Sequence, residues 1–465
     1  MKKCKFSRID QTSIWGNLIK FYQQQGIHAF NSIPYLITST ENLAHLYHTT
    51  LQQLINTHTA DFFELGAGHG QFGFRFAKSL PQPNYHLIDC AQAFQDFWLS
   101  HPQWQALNLK KSSTHILPFT SPFNELKTLT HSSNQPCVWV ANYFFDSLPF
   151  RGFQQHQQTW QEIYIKDLPH LSTEIEHTLE PIHDLTSNPY LQAWLETTQN
   201  LTTTLPVTVI SFLEWCSQQT RPMLILASDF KPSSGSITAP EHLFSDNGTL
   251  SSTLNIPLLK HYIETQHPKA HFFETESTHS LCTFLITFNL SLPSNWSLPC
   301  YKNADIESLI NPMKKENLSP QAFNQLVSST RNDPWLLPSI LELIQSKNFT
   351  PPATLSSDIE RIGQNIYPMP DHHLWLICAH IQSRLHQGNL SLQWVQKHVE
   401  FYGENSISNR EHGHALCSLG KLSSGLAKLR TALKTNPHCK TTLNLIQHFQ
   451  ESFTKKGLIN LDNST

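Results

Sequence analysis

Apolar positions recur at helical spacing early in the chain. They fall at Ile14, Leu18, Phe21 and Tyr22, and again at Leu43, Leu46, Tyr47, Leu51, Leu54 and Ile55. They predict an N-terminal helical segment over residues 1–58, broken by a proline-bearing connector at 32–39. From residue 59 to 290 the pattern changes. Short apolar runs at 61–64, 85–89, 115–117, 138–142, 223–229, 271–275 and 282–288 alternate with helical stretches, which predicts a doubly wound α/β sheet. The early runs are apolar without alternation, as parallel strands covered on both faces require. The last two leave no room for a helix between them and read as an antiparallel hairpin. Residues 291–304, with Pro293, Asn295 and Pro299, read as a linker, and 305–465 as an all-helical domain.

Within that tail, Gly413, Gly420, Gly425, Leu429, Ala432 and Pro437 sit at offsets that fit one tetratricopeptide-like unit of about 34 residues. Residues 375–402, with Gly388 in the turn, read as a degenerate unit. Five parallel strands followed by a hairpin is the Rossmann-like arrangement of class I methyltransferases, so the fold class expected is that sheet with a helical, tetratricopeptide-like C-terminal domain.

Four of the 16 glycines fall within residues 66–73, in Glu64-Leu65-Gly66-Ala67-Gly68-His69-Gly70-Gln71-Phe72-Gly73. A glycine cluster between a buried strand and a helix lets backbone approach a ligand closely and aims the helix N-terminus at it. Two cofactors compete. Gly66-x-Gly68-x-Gly70 fits an S-adenosylmethionine loop, and Gly68-x-Gly70-x-x-Gly73 fits a dinucleotide fingerprint. Asp89, closing the next strand, can accept both ribose hydroxyls of either cofactor. Glu64 discriminates: an acid there can receive the methionyl ammonium of S-adenosyl-L-methionine, whereas it would repel a pyrophosphate. The expected cofactor contacts are Glu64, Gly66, Ala67, Gly68, Gly70 and Asp89. An NAD(P)-dependent oxidoreductase is the weaker alternative.

Composition narrows the classes. A net charge of −3 gives no electrostatic footprint for nucleic acid, and no apolar run of about 18 residues predicts a membrane span. The basic start lacks an apolar core, so no signal peptide is expected. Nine dispersed cysteines, none in C-x-x-C, point to reduced thiols in the cytoplasm. The 27 histidines include no H-E-x-x-H and read as compositional drift, so no metal is expected.

A second constellation is Ala141-Asn142-Tyr143-Phe144-Phe145-Asp146-Ser147-Leu148-Pro149. Its strand should lie beside the first strand across the topological switch point, where ligands bind outside the carboxyl ends. Asn142, with one acceptor and two donors, suits an amine or amide nucleophile, and Asp146 can orient a cation or take a proton. The segment resembles the A-N-E-F-F-D-A-L-P signature of MidA-type methyltransferases, which include the mitochondrial complex I assembly enzyme that methylates arginine. Leu226-Ala227-Ser228-Asp229-Phe230 resembles that family's I-D-Y-G strand. Phe21-Tyr22-x-x-x-Gly26-Ile27-x-Ala29-Phe30, Pro34-Tyr35-x-x-Thr38-Ser39 and Asp246-Asn247-Gly248-Thr249-Leu250-Ser251 resemble bacterial proteins that join such a domain to tetratricopeptide-like repeats. The resemblance covers roughly residues 14–290.

Three departures stand out. Tyr143 replaces the Glu of N-E-F-F-D, Asp246-Asn247 replaces His-Gly, and no clear acid follows the third strand to meet the adenine. The resemblance implies methyl transfer to a protein side chain, arginine or another nitrogen nucleophile, with Asn142 and Asp146 catalytic. The helical tail would present a protein substrate or partner. A second reading keeps the fold and the cofactor but makes the chain an assembly or interaction module working through that tail.

Overall fold

The computed structural model describes residues 6–31, 39–107, 109, 111–116, 126, 134–166, 176–184, 189–197, 202–230, 254–275, 281–299, 319–346, 349–369 and 373–455. The motifs at 34–38 and 246–251 lie outside them. The chain divides into two compact units, Met1–Ala304 and Asp305–Thr465.

Along the first unit, β1 (Phe6–Arg8), α1 (Ile14–Gln25) and α2 (Glu41–Leu54) come first. They precede β2 (Asp61–Leu65), α3 (Gln71–Ser79), β3 (Asn84–Asp89), α4 (Gln92–Ser100), the single turn α5 (Pro102–Gln105), β4 (Lys111–Ile116) and β5 (Cys137–Asn142). Next come β6 (Arg151–His156), β7 (Thr159–Lys166), β8 (His177–Pro181), α6 (Pro189–Thr197) and β9 (Thr202–Leu205). The unit closes with α7 (Val207–Ser217), β10 (Met223–Phe230), α8 (Ile256–Gln266), β11 (His271–Glu274) and β12 (Leu281–Phe288).

The main sheet has seven strands in the order β11-β12-β10-β5-β2-β3-β4. The contiguous strands from β4 to β10 are parallel, and β12 runs antiparallel between β10 and β11. From β2 the chain first builds outward through β3 and β4, then returns to lay β5 on the other side of β2. The carboxyl ends of β2 and β5 therefore flank the reversal, where an α/β sheet opens a crevice. These strands are buried on both faces, which is why they read as unbroken apolar runs. At their centre Trp139 is wholly buried and stacks on Phe63, ring centroids 4.6 Å apart.

The uninterrupted α/β alternation expected over 59–290 needs correction. Residues 151–205 contribute to a second sheet, β1-β7-β6-β9 with β8 on the far side of β7, all pairs antiparallel. Its β6–β7 turn uses Gln157 and Gln158, both left-handed at φ 48° and 64°. Such turns usually announce themselves by Asn-Gly; a Gln-Gln pair gives no such signal. Arg151 ties the sheet together, donating to Glu162 at 2.6 and 2.8 Å and to Asp184 at 2.7 and 2.8 Å. Helix α1 packs on this sheet through Trp15, edge-on to Phe150 at 5.6 Å.

The second unit is helical in its described residues: α9 (Pro320–Ser329), α10 (Leu337–Gln345), α11 (Leu355–Gln364), α12 (Leu374–Arg384), α13 (Gly388–Tyr402), α14 (Ser406–Ser418), α15 (Leu422–Thr435) and α16 (Lys440–Lys455). Helices α14 and α15 cross at Gly413 and Gly425. A Cβ on Gly413 would stand 2.7 Å from the Leu429 side chain, and one on Gly425 would strike Cys417. No helix among the described residues is long and apolar enough to cross a membrane.

Candidate functional site

The glycine loop joins β2 to α3. Gly66, Gly68 and Gly70 take φ of 65°, 54° and 75°, a left-handed alternation that L side chains resist. This is the physical reason for glycine at every second position. The Ala67 N–H donates to the Ile88 carbonyl at 3.1 Å, which fastens the loop to β3, and Gly70 caps α3. Gly73 has a different task. Its missing Cβ lets the Glu64 carboxylate lie against the first turn of α3, where it accepts from the Gly73 N–H and, at 3.0 Å, from the Tyr85 hydroxyl. Burial pushes Glu64 up to about 8 against those two hydrogen bonds.

Asp89 ends β3 and binds the loop. Its Oδ2 accepts from Gly68 N–H at 2.7 Å and its Oδ1 from Cys90 N–H at 2.6 Å. Burial raises its carboxyl to about 6, opposed by these same donors. The Trp98 indole donates to the Gly68 carbonyl at 2.9 Å and closes the loop from the far side.

The second constellation meets the first. A Cβ on Gly66 would stand 2.6 Å from the Phe144 ring, so the two motifs touch. Tyr143 follows β5 in the left-handed region at φ 50°, a strained setting for a bulky residue. The Asn142 amide is fixed by a polar chain: the Tyr47 hydroxyl donates to Asn142 Oδ1 at 2.7 Å and pairs with Ser228 at 2.9 Å, and Ser228 pairs with Thr283 at 2.7 Å. Asn142 Nδ2 is buried with no hydrogen-bond partner among the described residues.

Asp146 lies in the one-turn 3-10 helix Phe145–Ser147 and is 4% exposed. Ser147 donates to its Oδ1 at 2.8 Å, and Asp229, wholly buried at the end of β10, shares a hydrogen bond with it. Burial raises Asp146 to about 6. Asp229 is held by the Phe145 N–H at 3.0 Å. The sequence reading missed Asp229 as a site residue. The signal was present in its place at a strand's carboxyl end.

A cavity of about 90 Å³ opens beside these groups, with Gly66, Asp89, Tyr143 and Phe144 in its wall and Trp15 and Tyr22 of α1 over it. Glu64, Asn142 and Asp146 are not in that wall; each acts from behind it. Tyr22 bridges the two constellations: burial, Asp89, Cys90 and Asp146 all push its hydroxyl well up. No basic side chain lines the cavity among the described residues. With Asp89 as the one charged group in its described wall, the site disfavours a pyrophosphate. The residues fit S-adenosyl-L-methionine: Asp89, which accepts from the Gly68 and Cys90 N–H groups and the Cys90 thiol, has acceptor capacity left for a ribose hydroxyl. Nucleoside-sized ligands occupy sites of roughly 300 Å³ or more. Entry therefore requires the α1 side chains, Tyr143 or Phe144 to shift.

Comparison with known proteins agrees. Residues 42–273 match the model of a family described as "Putative S-adenosyl-L-methionine-dependent methyltransferase". No curated protein matches the chain. Among solved structures, a superfamily protein from Burkholderia thailandensis is similar at 10% identity and TM-score 0.43, over 64% of this chain and 91% of that one. Another superfamily member from the same organism, solved with S-adenosyl-homocysteine bound, is similar at 9% identity and TM-score 0.41, over 63% and 89%. At this similarity neither structure speaks to the methyl acceptor. Over residues 42–273, the chain is similar to this S-adenosyl-L-methionine-dependent methyltransferase family.

Proposed function

We propose that the chain methylates a nitrogen nucleophile on a protein side chain, with Asn142, Asp146 and Asp229 as the groups that handle the acceptor. The observation that carries this reading is the buried Asp146–Asp229 pair at the carboxyl ends of β5 and β10, beside the glycine loop. Bound S-adenosyl-L-methionine supplies a methyl carbon already activated by its sulfonium. The chain has three remaining tasks: holding the nucleophile in line, excluding water, and taking a proton.

Gly66, Ala67, Gly68, Gly70 and Asp89 form the cofactor cradle, and Glu64 supports it by anchoring the first turn of α3. Asn142, its oxygen fixed by Tyr47, offers Nδ2 to a carbonyl of the acceptor. The bound cofactor would supply the methyl group and leave as its neutral thioether, and the Asp146–Asp229 pair would take the proton that the methylated nitrogen gives up. A base near 6 suits work at neutral pH. Positioning supplies most of the acceleration. Tyr143 replaces a carboxylate in the related signature, which removes one partner for a guanidinium and favours a smaller nitrogen nucleophile beside arginine. The helical domain would bring the protein acceptor. The described cysteines are free thiols, six of them buried, which suits a reducing cytoplasm.

The small cavity favours a second reading, an assembly protein that binds the cofactor with little turnover. One experiment separates them. Lysate proteins are incubated with methyl-tritiated S-adenosyl-L-methionine and the chain, and labelled products are identified by mass spectrometry, with Asp146→Ala as control. Label on a side-chain nitrogen that disappears with the control supports methyl transfer. Cofactor binding without any labelled protein supports assembly instead.

A further inference from the structure

The second unit holds a group that the methyl-transfer reading does not use. Glu411 and His414 are one helical turn apart on α14, an E-x-x-H spacing that puts both on one face. His380, on α12, meets them: its Nδ1 lies 2.9 Å from Glu411 Oε2, and His414 Nδ1 lies 3.8 Å from the same oxygen. One ligand atom from each residue lies within 4.8 Å of the others. Glu411 is wholly buried and His414 is 7% exposed, with its Nδ1 lacking a hydrogen-bond partner. A buried, unsatisfied imidazole nitrogen facing a buried carboxylate calls for an explanation.

We propose that His380, Glu411 and His414 form a binding site for a divalent transition metal of the Zn²⁺ type. In a tetrahedral zinc site, bonds of about 2.0–2.1 Å put neighbouring ligand atoms about 3.3 Å apart. The two nitrogen–oxygen separations, 2.9 and 3.8 Å, straddle that value. Two imidazoles and one carboxylate are a donor set zinc accepts with a fourth position open. The surroundings agree. Arg410 Nε donates to the other carboxylate oxygen, Oε1, at 2.7 Å, which turns Oε2 toward the imidazoles, as outer partners of ligating carboxylates do. His380 and His414 also line a groove of about 880 Å³, which gives a metal an entry path and its fourth position an exogenous ligand. The scattered histidines of the sequence thus include two that the fold brings together.

The test uses the tag-free full chain, stripped with EDTA and titrated with Co²⁺ and then Zn²⁺. One equivalent of Co²⁺ is expected to bind with visible d–d absorption, and Zn²⁺ is expected to displace it and raise the melting temperature. His414→Ala should weaken binding by at least about 100-fold, beyond what loss of an outer partner does. His448→Ala, which removes another histidine of the groove, should leave binding unchanged. Should His414→Ala fail to fold, His380→Ala, a partly exposed position, carries the same expectation. Absence of both cobalt absorption and a zinc-dependent rise in melting temperature would overturn the proposal. So would wild-type affinity in the folded His380 or His414 variant.

Discussion

Asp146→Asn should make the protein more stable and less active at the same time. In the native state the Asp146 carboxyl is raised from its ordinary 3.8 to about 6, because burial opposes its charge. Above pH 6 the fold must hold that charge, and the difference of about 2 pK units corresponds to roughly 3 kcal/mol. The sign follows from the direction of the shift. Between pH 4 and 6 the unfolded chain has lost the proton and the native state has kept it, so native stability falls as pH rises through that window. An asparagine keeps the shape and the acceptor for Ser147 but never ionises. The gain should therefore be absent near pH 4 and reach up to about 3 kcal/mol at pH 8. At about 2–4 °C per kcal/mol for a unit of this size, melting followed by circular dichroism should rise by roughly 6–12 °C at most. Labelling of lysate proteins by the same variant should fall by at least 100-fold, within the ~10²–10⁴ range for losing a proton acceptor. An equal gain at pH 4 and pH 8, or no gain at pH 8, would refute the burial argument. Wild-type labelling would refute the assigned role.

Three further expectations follow from the same geometry. Gly66→Ala places a Cβ 2.6 Å from Phe144 at φ 65°; left-handed strain of about 1–2 kcal/mol and overpacking of about 1–3 kcal/mol should appear as a lower melting temperature and weaker cofactor binding in calorimetry. Tyr47→Phe leaves the Asn142 oxygen and Ser228 without their shared partner, so chemical denaturation should show a loss of about 1–3 kcal/mol, and turnover should drop more than cofactor affinity. Glu64, Asp89 and Asp146 are all raised, to about 8, 6 and 6, so unfolding free energy should decline from pH 4 to pH 8; a stability maximum above pH 8 would contradict their burial.

The central strands were legible because parallel strands covered on both faces must be apolar throughout, as in Cys137-Val138-Trp139-Val140-Ala141. The hairpin at the sheet edge was legible from the shortness of its connection. The second sheet was not. Its strands are half-polar, with Gln154 and Gln161 paired on one face and Gln155 on the other, and its turn is built by two glutamines. Site chemistry divides the same way. Glycines with forced left-handed φ and the Asp at the end of β3 follow from chain geometry, so the sequence displays them. Partnerships between distant elements do not. Nothing local told that Gly73 seats Glu64, that Tyr47 fixes Asn142, or that Asp146 meets Asp229. Tyr22, in the opening Phe21-Tyr22 motif, acquires its place only because α1 packs on the unforeseen sheet.

The most direct test of the central claim is calorimetric titration of the full chain with S-adenosyl-L-methionine and, separately, with NAD. One molecule of S-adenosyl-L-methionine should bind, NAD should not, and Asp89→Ala should lose at least tenfold in affinity, about 1.4 kcal/mol, because the ribose hydroxyls and the Gly68 amide lose their shared acceptor. No heat with S-adenosyl-L-methionine, binding of NAD in its place, or unchanged affinity in Asp89→Ala would contradict the account.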